Sequence, residues 1–346
     1  MDLSAASTWS PPAEAMIIST IDAHTEGEPF RVVVDGFPDL EGTTILDMRR
    51  FAKSHYDHLR TALMWEPRGH ADMYGCLITP PVSPAADFGI LFMHNEGFST
   101  MCGHGIIGIA TVAAETGMIP ATAPETTMRI DTPAGLVTAT AEIQAGRVHR
   151  VRFANVPSFV AGVDETIDVP GLGTIHYDLG FGGAYYAFVD VRQVGLTCQP
   201  EDVDGLIRDG MAIKRAIMDQ RPIEHPTQAD LGFLYGTIFV GKPSSAGHHS
   251  RNVCIFAEGE VDRCPTGTGV SARLAIHHAR GEVQVGETIQ IESVLGTVFG
   301  GRILETTQFG GHPAVIPEVS GTAHITGRNT FIIQPEDPLR TGFIFR

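Results

Sequence analysis

The chain has 346 residues, 43% of them hydrophobic, with 40 acidic side chains against 24 basic ones and a formal net charge of −16. That length exceeds one ordinary core and suits two domains. An acidic balance without any Lys/Arg-rich run excludes nucleic acid and anionic membrane as partners and fits an enzyme of small molecules.

No apolar run reaches the length of a bilayer span. Residues 1–16 are rich in Pro, Ser and Ala, with no cationic start or apolar centre. They read as a loose N-terminal tail on a cytoplasmic protein. From Met16 the chain alternates like a strand to His24, turns through Thr25-Glu26-Gly27-Glu28-Pro29, and gives a second strand over Phe30–Val34. Asp47 then caps an amphipathic helix predicted over Met48–Met64. Strands follow near Met73–Thr79 and Phe88–His94, and the chain turns into Met101-Cys102-Gly103-His104-Gly105.

The segment Ile106–Ala114 is apolar almost all round, so it is expected as a helix enclosed by sheet. Strands near Thr127–Asp131, Leu136–Ile143 and Val148–Phe153 come next. The crossing into a second half is placed at Asn155-Val156-Pro157. There, strands at Ile175–Tyr177 and Ala184–Val189 precede an amphipathic helix over Asp202–Met218. Strands at Gly236–Val240 and Val253–Ala257 lead to Asp262-Arg263-Cys264-Pro265-Thr266 and a second buried helix. Four more predicted strands, near Ile289–Ser293, Thr297–Leu304, Ala314–Val319 and Thr330–Gln334, complete the chain.

The two halves echo each other. Met101-Cys102-Gly103-His104-Gly105 is answered by Pro265-Thr266-Gly267-Thr268-Gly269, and Cys102 is as far from Gly117 as Thr266 is from Gly281. This is the pattern of an internal duplication in which one cysteine has become threonine. A helix start carries unpaired N–H groups and the positive end of the dipole, and glycines let a ligand approach the backbone. Two such starts converging would hold a carboxylate. The same field favours a thiolate at Cys102, as base or nucleophile. His104 either polarises that thiol, contacts substrate, or is satisfied by backbone. Asp262 either binds an ammonium or imino group or is a solvated turn aspartate or a cap. Cys264, two residues before the position paired with Cys102, is expected to point elsewhere and to be structural. Cys76, Cys198 and Cys254 read as packing residues. His248-His249 and His277-His278 lack metal-ligand spacing, so no metal is expected, and no phosphate or dinucleotide loop is present.

At these residues the chain resembles the proline racemase family, which includes 4-hydroxyproline epimerases and trans-3-hydroxy-L-proline dehydratases. The carriers are Asp22 to Pro29, Glu66-Pro67-Arg68-Gly69-His70, Met101 to Gly105, Phe181-Gly182-Gly183 and Asp262 to Gly269. The resemblance implies an α+β, diaminopimelate-epimerase-like fold. Its two pseudo-symmetric lobes are each a curled β-sheet around a central helix, with the site in the cleft between them. It places residues 17–154 plus 323–346 in the first lobe and 155–322 in the second.

Racemases of this family set one cysteine on each face of the substrate. The second position here is Thr266, whose hydroxyl cannot serve as acid or base near neutrality. The Cys/Thr pair is similar to the dehydratase subgroup. The resemblance therefore implies loss of water from trans-3-hydroxy-L-proline, with Cys102 and Thr266 at the reacting carbon. Gly103, His104, Asp262, Gly267 and Thr268 would bind the cyclic amino acid. A proline racemase or 4-hydroxyproline epimerase is the alternative. No cofactor is implied, because dehydration is redox-neutral, and a homodimer follows from the family alone.

Overall fold

The computed structural model describes residues 3–345. Of the expected N-terminal tail, residues 1–2 lie outside the described residues, and one helical turn, α1 (Ser4–Ser7), precedes the first strand. Strands β1 (Met16–Thr25) and β2 (Glu28–Asp35) form an antiparallel pair, followed by α2 (Ile45–His55) and α3 (Asp57–Met64). A single helix was expected over this last region. Instead the backbone breaks at Tyr56, with φ −124° and ψ 17°, and Thr44 rather than Asp47 is the N-cap. Asp47 closes the capping box from the third helical position, an arrangement that satisfies two orphan amide groups at once.

β3 (Tyr74–Thr79) lies parallel to β2, and β4 (Phe88–His94) pairs antiparallel with it. The buried helix α4 (Gly103–Thr116) comes next. β5 (Glu125–Thr132), parallel to β4, and then β6 (Gly135–Gln144) and β7 (Arg147–Ala154) close the first half.

The second half repeats this order. β8 (Ser158–Val169) and β9 (Gly173–Phe181) are antiparallel, as are β9 and β10 (Tyr185–Asp190). After α5 (Val203–Gln220), β11 (Leu234–Gly241) lies parallel to β10, and β12 (Ser250–Phe256) pairs antiparallel with β11. The short β13 (Glu260–Val261) and the buried α6 (Gly267–Ala279) follow. β14 (Thr288–Glu292) is parallel to β12, and β15 (Val298–Phe309) and β16 (His312–Gly321) complete the half. The last strand, β17 (Ala323–Ile333), pairs with β1 along its whole length. Counting β17–β1 with the first half and β8–β9 with the second, each half runs antiparallel, antiparallel, parallel, antiparallel, parallel, antiparallel, antiparallel around one helix.

The strand β8 was not foreseen in the sequence. Bulges between Val160 and Gly162 and between Gly162 and Glu165 break its alternation, so no period-two signal survives.

Both central helices are enclosed. Ile106, Ile107, Ile109 and Val112 of α4 are fully buried, as are Val270, Ala272 and Leu274 of α6. Each large aliphatic side chain so buried contributes about 1.5–3 kcal/mol. Sheet packing, rather than intrinsic propensity, therefore holds α4, because three glycines in its first two turns weaken it as a free helix. Among the described residues no helix is long and apolar enough to cross a membrane.

Candidate active site

The starts of α4 and α6 face each other between the lobes. Cys102 is the N-cap of α4, and its sulfur accepts a hydrogen bond from the Gly105 amide at 3.2 Å. The Ile106 amide is taken by the Cys102 carbonyl, which leaves the amides of Gly103 and His104 without an intrahelical acceptor. In α6 the Val270 amide bonds the Thr266 carbonyl at 2.7 Å, so Gly267 and Thr268 have the same freedom. Thr266 is held at φ 67°, a left-handed conformation that is costly for a β-branched residue. Its hydroxyl donates to Asp262 Oδ2 in a short hydrogen bond. Thr266 therefore does not copy the cap that Cys102 makes; its side chain is committed to the carboxylate.

Cys102, Gly103, His104, Asp262, Thr266, Gly267 and Thr268 all line one cavity of ≈10 Å³, together with Met101, Tyr74, Tyr186 and Tyr235. That is room for about one water, so the cleft is shut. A larger hollow of ≈670 Å³ along Ile21, Val34, Met118 and Ile325 brings together no such set of acids, bases and helix starts among the described residues.

Burial governs the charges. It pushes the Cys102 thiol well up, against the opposing hydrogen bonds from Gly105 and Tyr74. The thiolate expected from the helix dipole alone is thus not favoured in the closed cleft: desolvation opposes it, and the nearby Asp262 and Glu28 add to that. His104 Nδ1 stands 3.3 Å from the Cys102 sulfur, and burial lowers this imidazole to about 3. It is therefore neutral and cannot be the imidazolium of an ion pair. Its ring packs edge-on against Tyr74, with centroids 4.6 Å apart, and against Phe30.

Asp262 is raised to about 7, chiefly by burial, while the Thr266 hydrogen bond and Arg263 pull the other way. Beside it Glu28 is fully buried. Its Oε2 accepts from the Arg263 amide at 2.5 Å, and its Oε1 has no hydrogen-bond partner among the described residues. Burial and the Asp262 charge push it well up. The Arg263 guanidinium reaches Asp72 at 2.7 Å. These contacts tie β2 and the loop before β3 to the loop before α6, so the carboxylate under the cleft is fixed from both lobes.

The structure adds residues that sequence reasoning missed. Tyr74, Tyr186 and Tyr235 roof the cavity from β3, β10 and β11. Tyr186 hydroxyl lies 2.7 Å from Thr268 Oγ1, and Tyr74 and Tyr235 hydroxyls are 3.3 Å apart. They sit in apolar runs and carry no local signal. The motif glutamate Glu28 was visible, but its place beside Asp262 was not. Cys264 is buried and does not line the cavity, although its sulfur lies within 4.8 Å of donor atoms on both His104 and Asp262.

The family profile described as proline racemase matches residues 20–344. A trans-3-hydroxy-L-proline dehydratase of Colwellia psychrerythraea is 47% identical over 341 residues, covering 98% of this chain and 96% of that protein. A 3-hydroxyproline 2-epimerase of Burkholderia multivorans is 46% identical over 329 residues, covering 95% and 98%. Among solved structures, a hydroxyproline epimerase from Agrobacterium vitis with bound trans-4-hydroxy-L-proline superposes with a TM-score of 0.90 at 32% identity, covering 95% of this chain and 96% of that one.

Proposed function

The chain belongs to the proline racemase family, and within it we propose that it is a trans-3-hydroxy-L-proline dehydratase. The observation that carries this reading is the asymmetry of the paired helix starts. Cys102 presents a thiol to the cavity, whereas Thr266 lends its hydroxyl to Asp262.

In trans-3-hydroxy-L-proline the hydroxyl is trans to the carboxylate, so the α-hydrogen and the hydroxyl share a face. One acid/base is then sufficient. The substrate carboxylate lies against the amides of Gly103, His104, Gly267 and Thr268, where negative charge building in the transition state meets two helix starts. Asp262 accepts from the ring ammonium, held in place by Thr266 and the Arg263 loop. Cys102 deprotonates while the cleft is open to water, and closure traps the thiolate against the Gly105 amide and the cationic substrate. The thiolate takes the α-proton, and the thiol so formed returns a proton to the departing hydroxyl. Water leaves, and the C2–C3 enamine tautomerises to Δ1-pyrroline-2-carboxylate. Atoms and electrons balance without an oxidant. We place the enzyme in the cytoplasm, as a homodimer acting on a small cyclic amino acid.

A second reading is favoured by Cys264, whose sulfur lies near His104 and Asp262. If it reached the far face of the ring, the enzyme would epimerise instead. Cys264 is not among the residues lining the cavity. Proton NMR in D₂O decides between them, with purified protein and trans-3-hydroxy-L-proline, trans-4-hydroxy-L-proline and L-proline as separate substrates. The dehydratase yields the pyrroline from the first alone. Inversion with α-deuterium incorporation and no pyrroline would refute it.

A further inference from the structure

One buried cluster joins two residues of this site to a thiol that the chemistry leaves unused. A ring nitrogen of His104, a carboxylate oxygen of Asp262 and the sulfur of Cys264 all lie within 4.8 Å of one another, and all three residues are buried. Tetrahedral ligands about 2.0–2.3 Å from a zinc ion stand roughly 3.3–3.8 Å apart, so these donors need only a small inward shift to share one ion. The set combines imidazole, carboxylate and thiol, a mixture that suits zinc and discriminates against magnesium and calcium, which take oxygen ligands. The adjoining cavity of ≈10 Å³, lined by His104 and Asp262 but not by Cys264, is too small for a prolyl ring. Cys102 sulfur stands 3.3 Å from His104 Nδ1, beside the same donors.

We propose that His104, Asp262 and Cys264 form an inhibitory site for a thiophilic divalent cation, which locks the cleft shut and blocks Cys102. Binding replaces the Cys264 thiol proton, which passes to the buffer, by a sulfur–metal bond; no redox step is involved. Zinc bound there occupies Asp262 and His104, so it competes with the cyclic amino acid. The site gives a metal role to Cys264, which has no part in turnover.

The test uses the purified full chain in metal-free buffer. Zinc chloride should inhibit turnover of trans-3-hydroxy-L-proline competitively, with reversal by EDTA, and magnesium should not. Cys264→Ser should keep turnover while its zinc inhibition constant rises about tenfold or more, since loss of a direct ligand costs at least what loss of an outer-shell partner does. Unchanged inhibition of Cys264→Ser would overturn the proposal, because zinc would then be held by Cys102 and His104 alone. A second readout needs no substrate and so stands apart from the proposed activity. Cobalt(II) added to Cys102→Ser should give a near-ultraviolet thiolate-to-cobalt band that disappears in Cys102→Ser/Cys264→Ser. Absence of the band in Cys102→Ser, with the circular dichroism of the folded protein intact, overturns the site whatever the enzyme catalyses.

Discussion

Gly103 and Gly267 meet backbone to backbone: a Cβ on Gly103 would lie 2.6 Å from the Gly267 Cα, and one on Gly267 would lie 2.8 Å from the Gly103 Cα. The two helix starts can share one carboxylate only because neither residue has a side chain. In an unencumbered helix, glycine to alanine gains about 1 kcal/mol. Here Gly103→Ala should instead destabilise by about 1–3 kcal/mol through overpacking against backbone that cannot yield. It should also lower kcat/KM by about 100-fold or more, because the amides are driven apart. Urea unfolding and steady-state kinetics on the same preparation check both, and a stabilised, active Gly103→Ala would show that the helix starts do not act together.

Cys102→Ser separates capping from chemistry. Serine is a good N-cap, so the Gly105 hydrogen bond survives and the melting temperature should stay close to that of the parent. Dehydration should fall about 100-fold to 10,000-fold, the usual worth of a positioned acid/base. Retained turnover in a correctly folded Cys102→Ser would remove the thiol from the mechanism.

How far these residues could be read in advance follows from what kind of signal each emits. That the seven residues named from the sequence would line one cavity was legible because glycines flanking a cysteine or threonine, ahead of a helix too apolar for a surface, have few other uses. β4 was likewise legible, as an apolar run bounded by turns. The roof tyrosines were not, because Tyr74, Tyr186 and Tyr235 occupy strand positions that look like core, and only the curl of three separate strands brings them together. The break at Tyr56 fell inside an uninterrupted amphipathic pattern and left no mark in it. What opposes a thiolate at Cys102 was hidden for a different reason: a helix start can be recognised from residues, whereas burial is a property of both lobes closing.

Asp262 should set the acid limb of the reaction. Its carboxyl is raised to about 7, so below that pH it is protonated and cannot hold the ring ammonium. The value of kcat/KM should rise with pH through about 7. Stability runs the other way. The folded protein keeps a proton that the unfolded chain releases near the ordinary aspartate value of 3.8, so this group's contribution to stability falls as pH rises from about 4 to about 7. Asp262→Asn should abolish turnover and be at least as stable as the parent at pH 8, with that advantage gone at pH 4. Melting curves at the two pH values test this, and a variant less stable at pH 8 than at pH 4, relative to the parent, would contradict the assignment of a buried, costly carboxylate.

Thr266→Cys restores the symmetry that the duplication has lost. It places a second sulfur opposite Cys102 and removes the hydroxyl that donates to Asp262. Removing a β-branched residue from φ 67° also relieves part of the backbone strain, so the fold should tolerate the change. Two consequences follow from one substitution. The far face of the ring gains a proton donor, so L-proline or trans-4-hydroxy-L-proline should begin to exchange the α-proton for deuterium with inversion. Meanwhile Asp262 loses a charge-assisted hydrogen bond of about 1.5–3 kcal/mol, which should raise KM for trans-3-hydroxy-L-proline. Deuterium exchange followed by chiral analysis reads the first, and steady-state kinetics the second. If dehydration persists unchanged and no exchange appears, Thr266 does not face the ring, and the two-faced arrangement of the cleft is wrong.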